Sequence, residues 1–334
     1  MNRVFGTVSA GMVALGLSAA SAFAADLGTA APPAAPAPET KSEAPPLFDI
    51  AFGSAVMSDY VFRGITQSNH RPSVAAYTEF RYNPFANLQL YAAVAGESIS
   101  FPNNAAAEVD VYAGLRPTFG KLVLDVGGWY YYYPGGRTFT GLGPSAATCT
   151  NLFFTPTGFC NAYKRDASFA EAFGKATYTL TDRITLGANL FYSPSWLNSG
   201  ADGTYASGTV KVTAPSEWFA KDWGAYASGE YGHYWFGTTD AFYGTPAFPN
   251  GIKYPDYNTW NLGLGLTYKV FTLDLRYSDT DLSKADCNVL TGAQSARFDP
   301  ANVTPTNPSG LGSNWCGATF IAKLSVDLTL ANLK

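Results

Sequence analysis

Glu108–Tyr132, EVDVYAGLRPTFGKLVLDVGGWYYY, carries the pattern on which the fold turns. Val109, Val111, Ala113 and Leu115 alternate with Glu108, Asp110, Tyr112 and Arg116. After the turn at Thr118–Gly120, Leu122, Leu124 and Val126 lead into Tyr130 and Tyr132, opposite Lys121 and Asp125. A period of two is that of a strand with unlike faces; a helix would repeat its apolar residues at three and four. The stretch reads as two strands joined by a tight turn.

The same grammar extends in both directions. Upstream, Phe48, Ile50 and Phe52 share a face against Asp49. Val74, Ala76, Phe80 and Tyr82 alternate with Glu79 and Arg81, and Leu88, Leu90, Ala92 and Val94 with Gln89, Tyr91 and Glu97. Downstream, strands are expected near 168–180, 183–194, 203–214, 222–235, 257–268, 270–280 and 317–330. The connections sort by length. Short links at 83–87, 118–120, 181–182, 215–221 and about 269 alternate with long ones at 63–72, 98–107, 133–167, 195–202, 236–256 and 281–316. That asymmetry is expected of an outer-membrane barrel, with short periplasmic turns and long extracellular loops. The fold class predicted is all-β: an antiparallel transmembrane β-barrel of about twelve strands over residues 47–334.

Composition agrees. Aromatic residues make up 15% of the chain and charged residues only 14%, against about 25% charged in ordinary soluble domains. A secreted soluble β-protein shares the strand propensities but has no reason to sort its loops. Aromatic girdles are expected at both lipid interfaces. Phe80, Tyr82, Phe85, Phe119, Trp218, Phe219, Tyr268 and Phe271 fall at the short-turn ends. Tyr60, Phe62, Tyr130, Tyr132, Tyr192, Trp196, Tyr234, Trp235 and Tyr277 fall near the loop ends.

Residues 1–24 read as a signal peptide, with Arg3 before a short apolar run and Ala22-Phe23-Ala24 as the cleavage site. Residues 25–46, rich in Ala and Pro, read as a periplasmic linker. Export leads through an oxidising compartment, so the cysteines, Cys149, Cys160, Cys287 and Cys316, are expected as disulfides within the two longest loops; spacing alone does not choose the pairing. A net charge of −4 without basic runs excludes nucleic acid as a partner.

Ser58–Ser68 (SDYVFRGITQS), followed by Pro72–Tyr82 (PSVAAYTEFRY), resembles the opening of the TorF porin family. The resemblance implies an outer-membrane location and a channel role without a defined substrate. Asp59, Tyr60, Arg63 and Gly64 match the signature: Gly64 is expected to permit a bend where strand meets loop, and Arg63 to pair with a carboxylate or line the pore mouth. Barrels of this kind finish on an aromatic residue, whereas this sequence finishes Leu330-Ala-Asn-Leu-Lys334.

The strand phase turns Glu79, Arg81, Glu108, Asp110, Arg116, Asp125, Glu171, Lys175, Lys211, Glu230, Asp274, Arg276, Lys323 and Asp327 inward as candidate pore-lining residues. Placing Arg or Lys on the lipid face would cost about 2–4 kcal/mol at the midplane. Their signs are mixed, so no ion selectivity follows; cross-barrel ion pairs filling the lumen are the plainer reading. A barrel enzyme that hydrolyses lipid needs a Ser–His pair; only His70 and His233 are present, and no serine motif accompanies either. No catalytic, metal or cofactor site is therefore expected. The partners expected are membrane lipid, small hydrophilic solutes and, as in other porins, further copies of the chain. The functional expectation is a channel for passive diffusion of small solutes or ions, with a receptor or adhesin using stiff outer loops as the alternative.

Overall fold

The computed structural model describes residues 45–140 and 161–333. Twelve antiparallel strands close into one barrel: β1 (Phe48–Met57), β2 (Ser73–Phe85), β3 (Leu88–Glu97), β4 (Glu108–Phe119), β5 (Leu122–Tyr132), β6 (Phe169–Thr179), β7 (Ile184–Ser193), β8 (Gly203–Thr213), β9 (Trp223–Phe236), β10 (Tyr257–Tyr268), β11 (Phe271–Thr280) and β12 (Thr319–Thr329). Each pairs with its sequence neighbours, and β1 closes onto β12 from Ala51↔Thr329 to Met57↔Lys323. Closure leaves no open edge, the condition for strands to lie in hydrocarbon. At 10–14 residues the strands meet or exceed the roughly 9–11 that a tilted strand needs to cross a bilayer.

The two faces are those the alternation requires. Val74, Val94, Val111, Leu190, Leu262 and Leu264 stand exposed on the outer wall. A continuous apolar belt of this kind would aggregate in water and is stable against lipid. No helix among the described residues is long and apolar enough to cross a membrane, which does not bear on strands. Phe80, Tyr82, Phe85, Phe119, Trp218 and Phe271 ring the short-turn end as exposed aromatics.

At the long-loop end the expected girdle is corrected. Tyr130, Tyr132, Tyr192 and Trp235 do face outward, but Tyr60, Phe62, Trp196 and Tyr234 are buried. Tyr60 and Phe62 sit on a loop that turns into the barrel, and Trp196 packs against Tyr234, Phe236 and Tyr254 in edge-on and tilted contacts rather than meeting lipid. Loop residues do not continue the phase of their strand, so the alternation does not predict where Tyr60, Phe62 and Trp196 point; Tyr234 lies within β9 and shares the inward phase of Glu230.

The long loops carry further structure. In the first, residues 58–72 (L1), Val61–Phe62 pairs with Ile65–Thr66 as a short hairpin. In the last, residues 281–318 (L6), an eight-residue helix α1 (Lys284–Thr291) begins at Ser283, whose side chain accepts the Asp286 N–H, and ends at Gly292 in the left-handed region. Cys287 and Cys316 form a disulfide across L6. The other two cysteines, Cys149 and Cys160, lie outside the described residues, as do the expected signal peptide and all but the last two residues, 45–46, of the linker.

Candidate functional site

L1 does not stay at the rim. Asp59 fastens its base, accepting Thr66 Oγ1 at 2.5 Å and Ser68 Oγ at 2.8 Å, while His70 Nδ1 lies 2.7 Å from its second oxygen. The hairpin beyond turns through Arg63 (φ 47°) and Gly64 (φ 82°). Two successive positive φ values are those of a tight hairpin turn, which glycine adopts freely and arginine only at a cost. The bend expected at a strand–loop junction is thus the tip of an inserted hairpin. A Cβ at Gly64 would lie 2.3 Å from Thr280 Cγ2 and 2.6 Å from Thr259 Oγ1, on the barrel wall.

Arg63 carries the contact. Its guanidinium makes two 2.8 Å hydrogen bonds to Glu171 of β6 and donates to Tyr234 Oη of β9 at 2.9 Å. The rings of Phe62, Phe191, Tyr205 and Tyr234 lie 4.5–5.0 Å from its Cζ. Its carbonyl accepts from Tyr257 Oη of β10. Both side chains of the Arg63–Glu171 pair are fully buried. Bidentate geometry and surrounding aromatic faces are what a desolvated guanidinium needs. Tyr60 adds a second tie, donating to Glu108 Oε1 of β4 at 2.6 Å. L1 therefore enters the long-loop half of the interior and is tied to the wall at β4 and β6.

L6 rests against this hairpin. Trp315 Nε1 donates to Asn69 Oδ1, the Trp315 carbonyl accepts Thr66 N–H, and His70 Nε2 lies 3.1 Å from the Asn314 carbonyl. The Asp59 hydrogen bond raises the pKa of His70 above its ordinary 6.5, against the opposing effect of partial burial.

Towards the short-turn end the interior is a charge network. Arg116 holds Glu79 with both terminal nitrogens, at 2.8 and 3.0 Å, and Asp125 with Nε at 3.0 Å. Arg81 bonds Glu79 at 2.7 Å, and Arg276 grips Asp274 at 3.0 Å. Tyr77 donates to Asp327, and Lys175 and Lys211 lie over aromatic rings. All the charged residues assigned inward by phase are buried or half-buried in the barrel, Glu230 and Lys323 among them. Sequence reasoning put Glu97 on the inner face without counting it as a site residue; it lies beside Glu108 and Asp110, with ligand atoms all within 4.8 Å of one another. The signal was its phase, shared with Tyr91.

His233 faces outward on β9, as its phase predicts, with Nδ1 2.8 Å from Asn258 Oδ1; Asn258 also accepts from Tyr231 and donates to Asp281. No serine hydroxyl contacts either histidine ring among the hydrogen bonds of the described residues.

Residues 41–157, which contain the Ser58–Ser68 and Pro72–Tyr82 stretches, match a family described as "Bacterial protein of unknown function (Gcw_chp)". No curated protein matches the chain. Among solved structures it is similar to a NanC porin, at 10% identity and a TM-score of 0.41 over 84% of this chain and 100% of that one. It is similar to the Pseudomonas putida toluene transporter TodX at 12% and 0.38, over 86% and 89%. It is also similar to OmpT of Vibrio cholerae at 12% and 0.36, over 84% and 97%. Likenesses this distant carry nothing about substrate.

Proposed function

We propose that this chain is a Gram-negative outer-membrane channel of the porin type, passing small hydrophilic solutes or ions when L1 is displaced. The observation that carries this reading is the division of the closed sheet, with an apolar belt outside and buried charge inside. Polar groups such as Arg81, Arg116, Lys211 and Asp274 are the pore lining of this reading, and the Arg63–Glu171 pair is its latch. Passive diffusion in an open state needs neither cofactor nor catalysis. In the same reading residues 1–24 are cleaved on export, 25–46 tether the barrel in the periplasm, and the opening stretch belongs to the TorF porin family.

A receptor is the second reading, favoured by the burial of L1 beneath L6. Liposome swelling with small sugars separates the two. A channel latched by L1 is slow as wild type and faster as Arg63→Ala. No swelling with either protein, both inserted and folded, would refute the channel and favour the receptor.

A further inference from the structure

We infer that Glu97, Glu108 and Asp110 form a binding site for a divalent cation, with calcium the best match, just beneath L1. The three carboxylates come from the ends of β3 and β4 that lead into the long loops, and are 3%, 2% and 0% exposed. One atom from each lies within 4.8 Å of the others, yet no described lysine or arginine pairs with any of them. Glu108 is served by neutral donors, Tyr60 Oη at 2.6 Å and Tyr133 Oη at 2.8 Å. Both oxygens of Glu97 have no hydrogen-bond partner among the described residues, and the Asp110 carboxylate makes no well-aligned hydrogen bond there, with only the neutral Trp129 indole N–H beside it. Buried carboxylate oxygens left without donors are rare in native proteins, and a missing ion is one of their ordinary causes.

The ligand chemistry favours calcium over magnesium. Calcium takes about six to eight oxygens in flexible geometry, several carboxylates among them, whereas magnesium keeps much of its water shell and is held by one or two carboxylates. Three buried carboxylates brought together on adjacent strands suit the former. Two tyrosine hydroxyls already orient Glu108, as outer groups orient metal ligands elsewhere. Because Tyr60 belongs to L1, an ion here fastens the inserted loop to the wall through Glu108. Alternation reveals the inward phase of these residues, but not that two adjacent strands bring three carboxylates together without a cation between them. The inference holds whether or not the barrel conducts.

The test uses the full chain, refolded in detergent, stripped with chelator and checked for folding by its heat-dependent gel mobility. Terbium(III) is the probe, because Trp129 and Tyr133 can sensitise its luminescence, and calcium is the competitor. Wild type is expected to give a saturable signal that calcium displaces. Asp110→Asn and Glu97→Gln, which keep shape and remove charge, should lose it. Tyr133→Phe should weaken binding by about 10–100-fold, the usual effect of removing a group that orients a ligand. Absence of a saturable signal from folded wild type would overturn the inference. So would an undiminished signal from whichever of Asp110→Asn and Glu97→Gln folds.

Discussion

Replacing Glu171 by Gln tests the latch most sharply, because it keeps the shape of the side chain and removes its charge. Arg63 would then remain fully buried, its guanidinium losing the opposite charge and one of its two 2.8 Å bonds, with an amide N–H placed against it, and keeping Tyr234 and the rings. Breaking one side of a buried pair costs about 3–5 kcal/mol, most of it from the charge left unpaired. At about 1.4 kcal/mol per decade, that shifts the balance between seated and displaced L1 by roughly two to four orders of magnitude. Arg63→Met should cost a similar amount. The double variant Arg63→Met/Glu171→Gln should cost much less than the two singles together, because it leaves no charge behind. The assay is a double-mutant cycle by urea unfolding in lipid or detergent, with limited proteolysis of L1 as an independent readout. A coupling energy of about 0.5–3 kcal/mol is expected for residues in one network. Singles that add without coupling, with L1 equally resistant in all variants, would refute the claim that this pair seats the loop.

Other consequences follow from the same contacts. Gly64→Ala places a methyl against Thr280 and Thr259 at a positive φ, and should expel the hairpin and expose L1 to protease. Unchanged protection would mean that the turn tolerates a side chain. Reducing Cys287–Cys316, which are 29 residues apart, should lower stability by about 3–4 kcal/mol on the chain-entropy relation, read as a lower unfolding midpoint in reductant. A midpoint equal to the oxidised one would contradict it. Seated L1 holds His70 with a pKa raised above 6.5, so this stabilisation is complete below pH 6.5 and is lost as pH climbs through the raised value. Hydrogen-exchange protection in L1, taken relative to the intrinsic rate at each pH, should therefore fall towards alkaline pH in wild type, and His70→Ala should flatten that dependence. A wild-type profile with no pH dependence would deny His70 the role.

The barrel was legible because lipid and a polar interior impose opposite demands on alternate residues. Val111 beside Asp110, or Leu275 beside Asp274, states both demands at once, and each link length states the side of the sheet on which it lies. Closure follows from the same physics, since an open edge has no place in hydrocarbon. The plug was not legible. Arg63 and Glu171 are 108 residues apart, and nothing local distinguishes a loop arginine at a pore mouth from one driven into the interior. The buried Tyr60 and Trp196 show the same limit: aromatic rings near a strand end suit an interface, and only the inward path of the chain hides them. Helix α1 was equally silent, at eight residues within a loop and secured by a disulfide whose pairing spacing could not fix. The signature residues turned out to be the parts of one device. Asp59 staples the base of L1, Tyr60 ties it to β4, Arg63 anchors its tip, and Gly64 makes the turn.

Single-channel recording in planar bilayers, comparing wild type with Arg63→Ala, bears most directly on a membrane channel latched by its first loop. Wild type should rest in a closed or weakly conducting state, and the variant should show discrete, larger and longer openings. A folded, inserted variant that never conducts would contradict the account, as would a wild type already fully open with steps identical to those of the variant.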